Sequence, residues 1–180
     1  FASSSALPTA PRSSKHGPRV TKSIDSHIKW LENQVASLDE EIDTTIKKSP
    51  VWREHDELLR GVPGVGPVTS RVLIGYLPEL GKLNRKEIAS LVGLAPFNND
   101  SGKRTGKRSI WGGRGYIRSV LYMAAVTAVR FNADLKVFYE RLLAAGKVPK
   151  LALTAVMRKL LVRLNAMMRS RSRWLPSISP

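Results

Sequence analysis

The chain has 180 residues, with 30 Lys and Arg against 14 Asp and Glu, no cysteine, and a formal net charge of +16. The lack of cysteine excludes disulfides, a thiol nucleophile and thiolate metal sites, in keeping with a reducing bacterial cytoplasm. No apolar run reaches the roughly 18 residues that would span a bilayer. Apolar content is an ordinary 42%, so the charge excess points to a polyanionic partner, with nucleic acid ahead of anionic lipid.

Residues 1–20 are rich in Ser, Pro and Ala and lack the apolar core and cleavage pattern of a signal peptide. They are predicted to form a flexible leader, and a chain that opens on Phe1 reads as a fragment. From Thr21 the pattern changes. Ile24, Ile28, Leu31, Val35, Leu38, Ile42 and Ile46 recur every three or four residues, with charged residues on the other faces. This is the a/d stripe of a long amphipathic helix over residues 21–50, either a two-stranded coiled coil, within one chain or between two in a homo-oligomer, or a single long helix lying on a core.

Ser49-Pro50 breaks that helix, and a second runs to about Leu59. Gly61-Val62-Pro63-Gly64-Val65-Gly66-Pro67 then forces a tight turn, because prolines and closely spaced glycines do not continue a helix. Helix, Pro-Gly-Val-Gly, helix is the pattern of a helix-hairpin-helix. In that arrangement Gly64 and Gly66 let the backbone approach a phosphate, and the next helix aims its free N–H groups at it. Such a contact is independent of base sequence. The alternative is an ordinary turn between two helices. Small residues at Thr69 and Ser70 suit close packing of the pair.

Val68, Val72, Leu73 and Leu77 mark a further helix closed by Pro78, and Asn84 with Glu87 forms a capping box opening a short helix through Val92. Residues 93–115 read as a basic, Gly-rich loop. Three more helices follow, over about 116–131, 134–145 and 149–168, with Gly146 and Pro149 as stop and start signals. The class is all-α: a heptad-patterned helix, then a compact helical domain over 51–169, then a disordered basic tail over 170–180.

Between Ser101 and Arg118 lie Lys103, Arg104, Lys107, Arg108, Arg114 and Arg118, with no acidic residue among them and with Trp111 and Tyr116 as stacking candidates. That composition suits a nucleic-acid backbone; the alternative is a solvated charged face. A hydroxyl such as that of Ser101 is a weak nucleophile until its proton is removed and the charge on its target is neutralised. From residues alone Ser101 reads first as a turn residue, with Asp100 either orienting a partner or bonding locally.

His16, His27 and His55 have no metal-ligand spacing and read as surface residues. Met123, Met157, Met167 and Met168 read as core filler. In the last helix Leu153, Val156, Leu160 and Leu164 form a core stripe beside a basic face of Arg158, Lys159, Arg163 and Arg169.

The stretch from Leu59 to about Met168 resembles the C-terminal transposase domain of the insertion-sequence 110/116/902 family. The resemblance rests on Gly61 to Pro67, on Leu91-Val92-Gly93-Leu94-Ala95-Pro96, and on Ser101-Gly102-Lys103-Arg104 with Gly112, Gly115 and Arg118. The helix around Tyr122-Met123-Ala124-Ala125 and the region from Lys150 to Arg163 also fit. It implies a DNA recombinase in which Ser101 attacks a phosphodiester and forms a phosphoserine link, without a nucleotide cofactor. It also implies an N-terminal RuvC-like domain that holds acidic ligands for a divalent metal, and in some members a structured guide RNA. Nothing before residue 21 resembles that acidic domain, so no metal or other cofactor is expected in this chain. The competing readings are a non-catalytic helix-hairpin-helix module for DNA or RNA, and an inactive transposase remnant.

Overall fold

The structure, a computed structural model, describes residues 18–97, 106 and 109–176. Among these, the helices are α1 (Pro18–Lys48), α2 (Pro50–Arg60), α3 (Pro67–Tyr76), α4 (Arg85–Val92), α5 (Gly115–Phe131), α6 (Ala133–Ala144) and α7 (Pro149–Ser170). The one sheet among the described residues pairs β1 (Pro96–Phe97) with β2 (Ser109–Ile110). The all-α expectation holds. The chain divides into two compact units, Phe1–Thr44 and Thr45–Pro180.

In the first unit α1 runs unbroken through the heptad pattern. Ile24, Ile28, Leu31, Val35, Leu38 and Ile42 stand 44–58% exposed along it. His27 stacks on Trp30 with ring centroids 5.9 Å apart.

The second unit begins as sequence punctuation dictates. Ser49 caps α2 by accepting a hydrogen bond from the Trp52 amide, and Pro50 occupies the first turn, where no backbone donor is needed. Helices α2 and α3 pack together. Ser70, fully buried, donates to the Asp56 carboxylate at 2.6 Å across that interface. Small side chains at Thr69 and Ser70 thus do what their size suggests. The turn between the helices is fixed from below. Gly64 has φ +101°, and a Cβ there would lie 2.5 Å from the Cα of Ala128 on α5. Its glycine is therefore demanded by both backbone conformation and close packing. Asn132, buried at the start of α6, donates to the Pro63 carbonyl and accepts from the Leu135 amide, tying the same turn down.

Helix α7 is the axis of the unit, packing against α2, α4, α5 and α6. Val156, Leu160 and Leu164 are fully buried as the stripe requires, joined by Leu161, and Leu153 is half-buried. Truncating any of these buried leucines would cost about 2–5 kcal/mol. Asn165 adds a polar anchor to this apolar helix. Its side chain accepts from the Gly81 amide and donates to the Leu83 carbonyl, both at 2.8 Å, which locks the α3–α4 connection onto α7.

One expectation is corrected. Met157, Met167 and Met168 are core residues, but Met123 is 61% exposed, because it lies on the face of α5 opposite Ala124, Ala125 and Ala128. Past α7 the chain makes contacts back onto that helix as far as Leu175. Trp174 covers the Arg163 guanidinium at 3.8 Å, Arg163 donates to the Leu175 carbonyl, and the same guanidinium pairs with Asp134 at 2.8 Å. The cation–π contact and the Leu175 hydrogen bond join this stretch to α7, while the ion pair links α7 to α6.

Replacing Gly64 with Ala should destabilise the chain by about 2–4 kcal/mol in a denaturant melt, combining left-handed strain with a backbone clash. Gly66→Ala should cost about 1 kcal/mol or less, because that position has open space around it.

Candidate nucleic-acid interface

The basic loop leaves the body at one end of α4 and returns at the start of α5. Asn84 caps α4 through both arms of a capping box, accepting from the Lys86 and Glu87 amides while Glu87 accepts from the Asn84 amide. Gly93 ends the helix in the left-handed conformation, φ +76°. The chain then enters β1, which pairs antiparallel with β2 in the register Pro96↔Ile110 and Phe97↔Ser109. Ser101, Lys103, Arg104, Lys107 and Arg108, with Asp100, lie between these strands and outside the described residues.

What the structure does define is the root of that loop. After β2 the backbone of Gly112-Gly113 crosses the end of α4 directly. A Cβ on Gly93 would strike the Gly112 carbonyl, and one on Gly113 would strike the Val92–Gly93 backbone. Only bare backbone fits on both sides of this crossing. Arg118, one turn into α5, bridges it from the side, donating to the Gly112 carbonyl at 2.6 Å and to the Val92 carbonyl at 3.1 Å. The second of these satisfies a carbonyl that a helix end leaves without an internal partner. The Arg114 amide adds a bond to the Leu91 carbonyl at 3.0 Å.

Arg114 reaches in another direction. Its guanidinium grips the Glu79 carboxylate with two hydrogen bonds, at 2.7 and 2.5 Å, and also donates to the Tyr76 carbonyl at 2.8 Å. The hydrogen bonds from Arg114 hold the Glu79 carboxyl below its usual range. The two arginines expected to grip phosphates therefore have intramolecular partners that brace the loop root. A guanidinium has five donors, so each retains capacity toward solvent.

Bracing has a second effect that the sequence conceals. Because Arg114 holds the end of α3, Tyr76 comes against Tyr116, edge to face, with centroids 5.3 Å apart and both rings more than half exposed. Trp111, 78% exposed, lies between β2 and the crossing. Trp111 and Tyr116 were candidates by composition. Tyr76 is separated from them by more than thirty positions and enters only through the Arg114 contact.

The hairpin glycines lie elsewhere. Gly64 meets Ala128, whereas the loop root meets Arg118, ten residues earlier on α5. At ~1.5 Å rise per residue that separation is roughly 15 Å. The hairpin turn and the loop root thus meet α5 at different points along its length. Gly66, capping α3, is exposed and Val68 beside it is 57% exposed, so that edge of the turn is open. Of the histidines, His27 is exposed, His55 is half-buried, and His16 lies outside the described residues. Burial lowers the His55 pKa, with Arg171 and Lys82 pushing the same way against Glu54. No three acidic or histidine side chains among the described residues stand close enough to hold a metal ion, and no described helix is long and apolar enough to cross a membrane.

Residues 56–140, which contain the α2–α3 turn and the whole loop, belong to the transposase family described as IS116/IS110/IS902. The chain is 33% identical over 150 residues to the pilin gene-inverting proteins of Moraxella bovis and Moraxella lacunata, covering 81% of this chain and 46% of each relative. It is 29% identical over 154 residues to an insertion element IS116 protein of Streptomyces clavuligerus, covering 82% of this chain and 38% of that relative. The chain thus spans less than half the length of these relatives.

The Arg114–Glu79 brace is testable by pH. With the folded-state Glu79 pKa lowered, its contribution is present above the ordinary carboxylate pKa and is lost as pH falls through the folded value. Glu79→Gln should lower Tm at neutral pH, and the gap from the parent chain should close as pH drops below about 4.5, the ordinary value.

Proposed function

We propose that this chain is the C-terminal serine domain of an insertion-sequence transposase, acting on DNA in transposition or recombination with Ser101 as nucleophile. The support is the loop root. A segment with Ser101 and four closely spaced cations is anchored at both ends, through the β1–β2 pairing and the Arg118 bridge, in the part of the chain that matches the transposase family. A reactive group needs that anchoring, because misplacement by about 1 Å can cost about 100-fold in rate.

In this reading the Ser101 oxygen attacks a DNA phosphorus. A serine–phosphate ester forms, the bond to one sugar oxygen breaks, and that oxygen leaves with a proton. Lys103, Arg104, Lys107 and Arg108 offset charge on the phosphoryl oxygens, while Arg114 and Arg118 contact flanking phosphates with the donors left over from bracing. Rejoining is the reverse attack by a sugar hydroxyl, so no nucleotide cofactor is needed. The open edge at Gly66 supplies a second, sequence-independent backbone contact. The described residues do not fit a divalent metal, so no step here passes through one. Any such metal, and any guide RNA, belongs with the portion of the relatives that this chain does not span.

The exposed stripe on α1 supports self-association through a coiled coil. Replacing Leu31 and Leu38 together with Glu should shift the chain to monomer in sedimentation. An unshifted species would remove this part of the reading.

The chemistry is tested with a full-length protein containing this chain and a nicked DNA substrate that traps strand-transfer intermediates. A covalent protein–DNA adduct should form, and Ser101→Ala should abolish it while changing DNA affinity by less than about twofold. DNA binding with no adduct from the parent protein would favour the non-catalytic module or the inactive remnant.

A further inference from the structure

Beside the loop root lies a groove of about 660 Å³, within the ~300–1,000 Å³ range of sites that enclose a small ligand group. One wall is the loop's own base, Pro96 and Ile110, and the other is the α6–α7 corner. Its floor is apolar, with Leu142, Val148, Leu151 and Ala155, and Val148 and Leu151 are at least half exposed. Its rim holds Lys147, Lys150 and Arg158, and no acidic residue among the described residues lines it. A second depression of about 400 Å³ shares Ile110 and Lys150 with it and extends to Arg118, Tyr122 and Met123 on α5, again without an acidic residue among the described residues.

We infer that this groove is a binding site for an unpaired DNA strand beside the loop. Two observations select that occupant. The cations on the rim face a partner that is negative, and the apolar floor faces one that also presents flat unsolvated surface. An unpaired strand offers both, phosphates along one edge and base faces along the other, whereas a duplex keeps its base faces stacked inside. Lys147, Lys150 and Arg158 take the phosphates, the floor takes one or two bases, and Tyr122 and Met123 extend the base-facing surface toward α5. The arrangement also accounts for an otherwise costly feature, apolar side chains exposed on a strongly basic surface next to the loop.

This inference rests on the DNA-binding part of the proposed function and is independent of Ser101 chemistry. It is tested by fluorescence anisotropy on the 180-residue chain with a labelled DNA strand of about 15 nucleotides, its duplex, and an RNA strand of the same sequence. Replacing Lys147, Lys150 and Arg158 with Ala should weaken single-strand DNA binding about tenfold. It should also make the salt dependence shallower by about 2 in log–log slope, from three phosphates at ~0.7 each. Leu151→Asn, which keeps the charge and alters an exposed position, should weaken only the single strand, about fivefold. A charge-matched variant on another surface, Lys82, Arg85 and Lys86 all to Ala, should change single-strand binding by less than about twofold.

Equal losses in the two triple variants would overturn the site, leaving only general electrostatic attraction. Unchanged DNA binding in the groove variant would overturn it in favour of a protein segment, and binding of RNA with none of the DNA strand would overturn it in favour of RNA. A parent chain that binds no nucleic acid would fail the proposed function itself, a result separate from any of these.

Discussion

The close backbone crossing at Gly93 and Gly113, where neither residue has room for a Cβ, is the constraint on which the rest of the interface depends. Side chains at either place would force α4 and the start of α5 apart. With the backbones in contact, Arg118 can reach two carbonyls at once and β2 can lie beside β1. Arg114 is then carried to Glu79 and Tyr76, which sets the end of α3 and the pair of tyrosine rings. Thus a steric condition at two glycines, Gly93 and Gly113, fixes the outlines of a surface drawn from α3, α4, α5 and both strands.

Much of the fold was legible because its boundaries are written in local chemistry. Ser49-Pro50, the Asn84–Glu87 box and Pro149 each act on backbone groups within a few residues, so sequence alone locates them. The α7 stripe was equally plain, since one helix face meets the core along its length. Met123 was misread because α5 is apolar nearly all round, and its core face is chosen by the small residues Ala124, Ala125 and Ala128 that admit α3 and α7. Periodicity cannot make that choice when the outer face also holds a methionine and tyrosines.

The interface was less legible, for a physical reason. Cations in a loop look alike in sequence whether they face solvent, a phosphate or a carbonyl of the same chain. Arg114 and Arg118 proved to have partners 26 to 38 positions away, while the groove cations Lys147, Lys150 and Arg158 fall outside the segment whose composition attracts attention. Glycines present the same ambiguity. Gly64 reads as an invitation to a ligand, yet a methyl group there would meet α5.

The bonds that Arg114 and Arg118 make across the crossing end mainly on main-chain oxygens, those of Tyr76, Val92 and Gly112. Main-chain acceptors do not change when side chains do. These bonds lie outside the excursion between Phe97 and Ser109, so the root holds that segment by its two ends alone. Closing a longer excursion adds only about 0.6 kcal/mol per doubling of length, so a change of length there would leave the root intact.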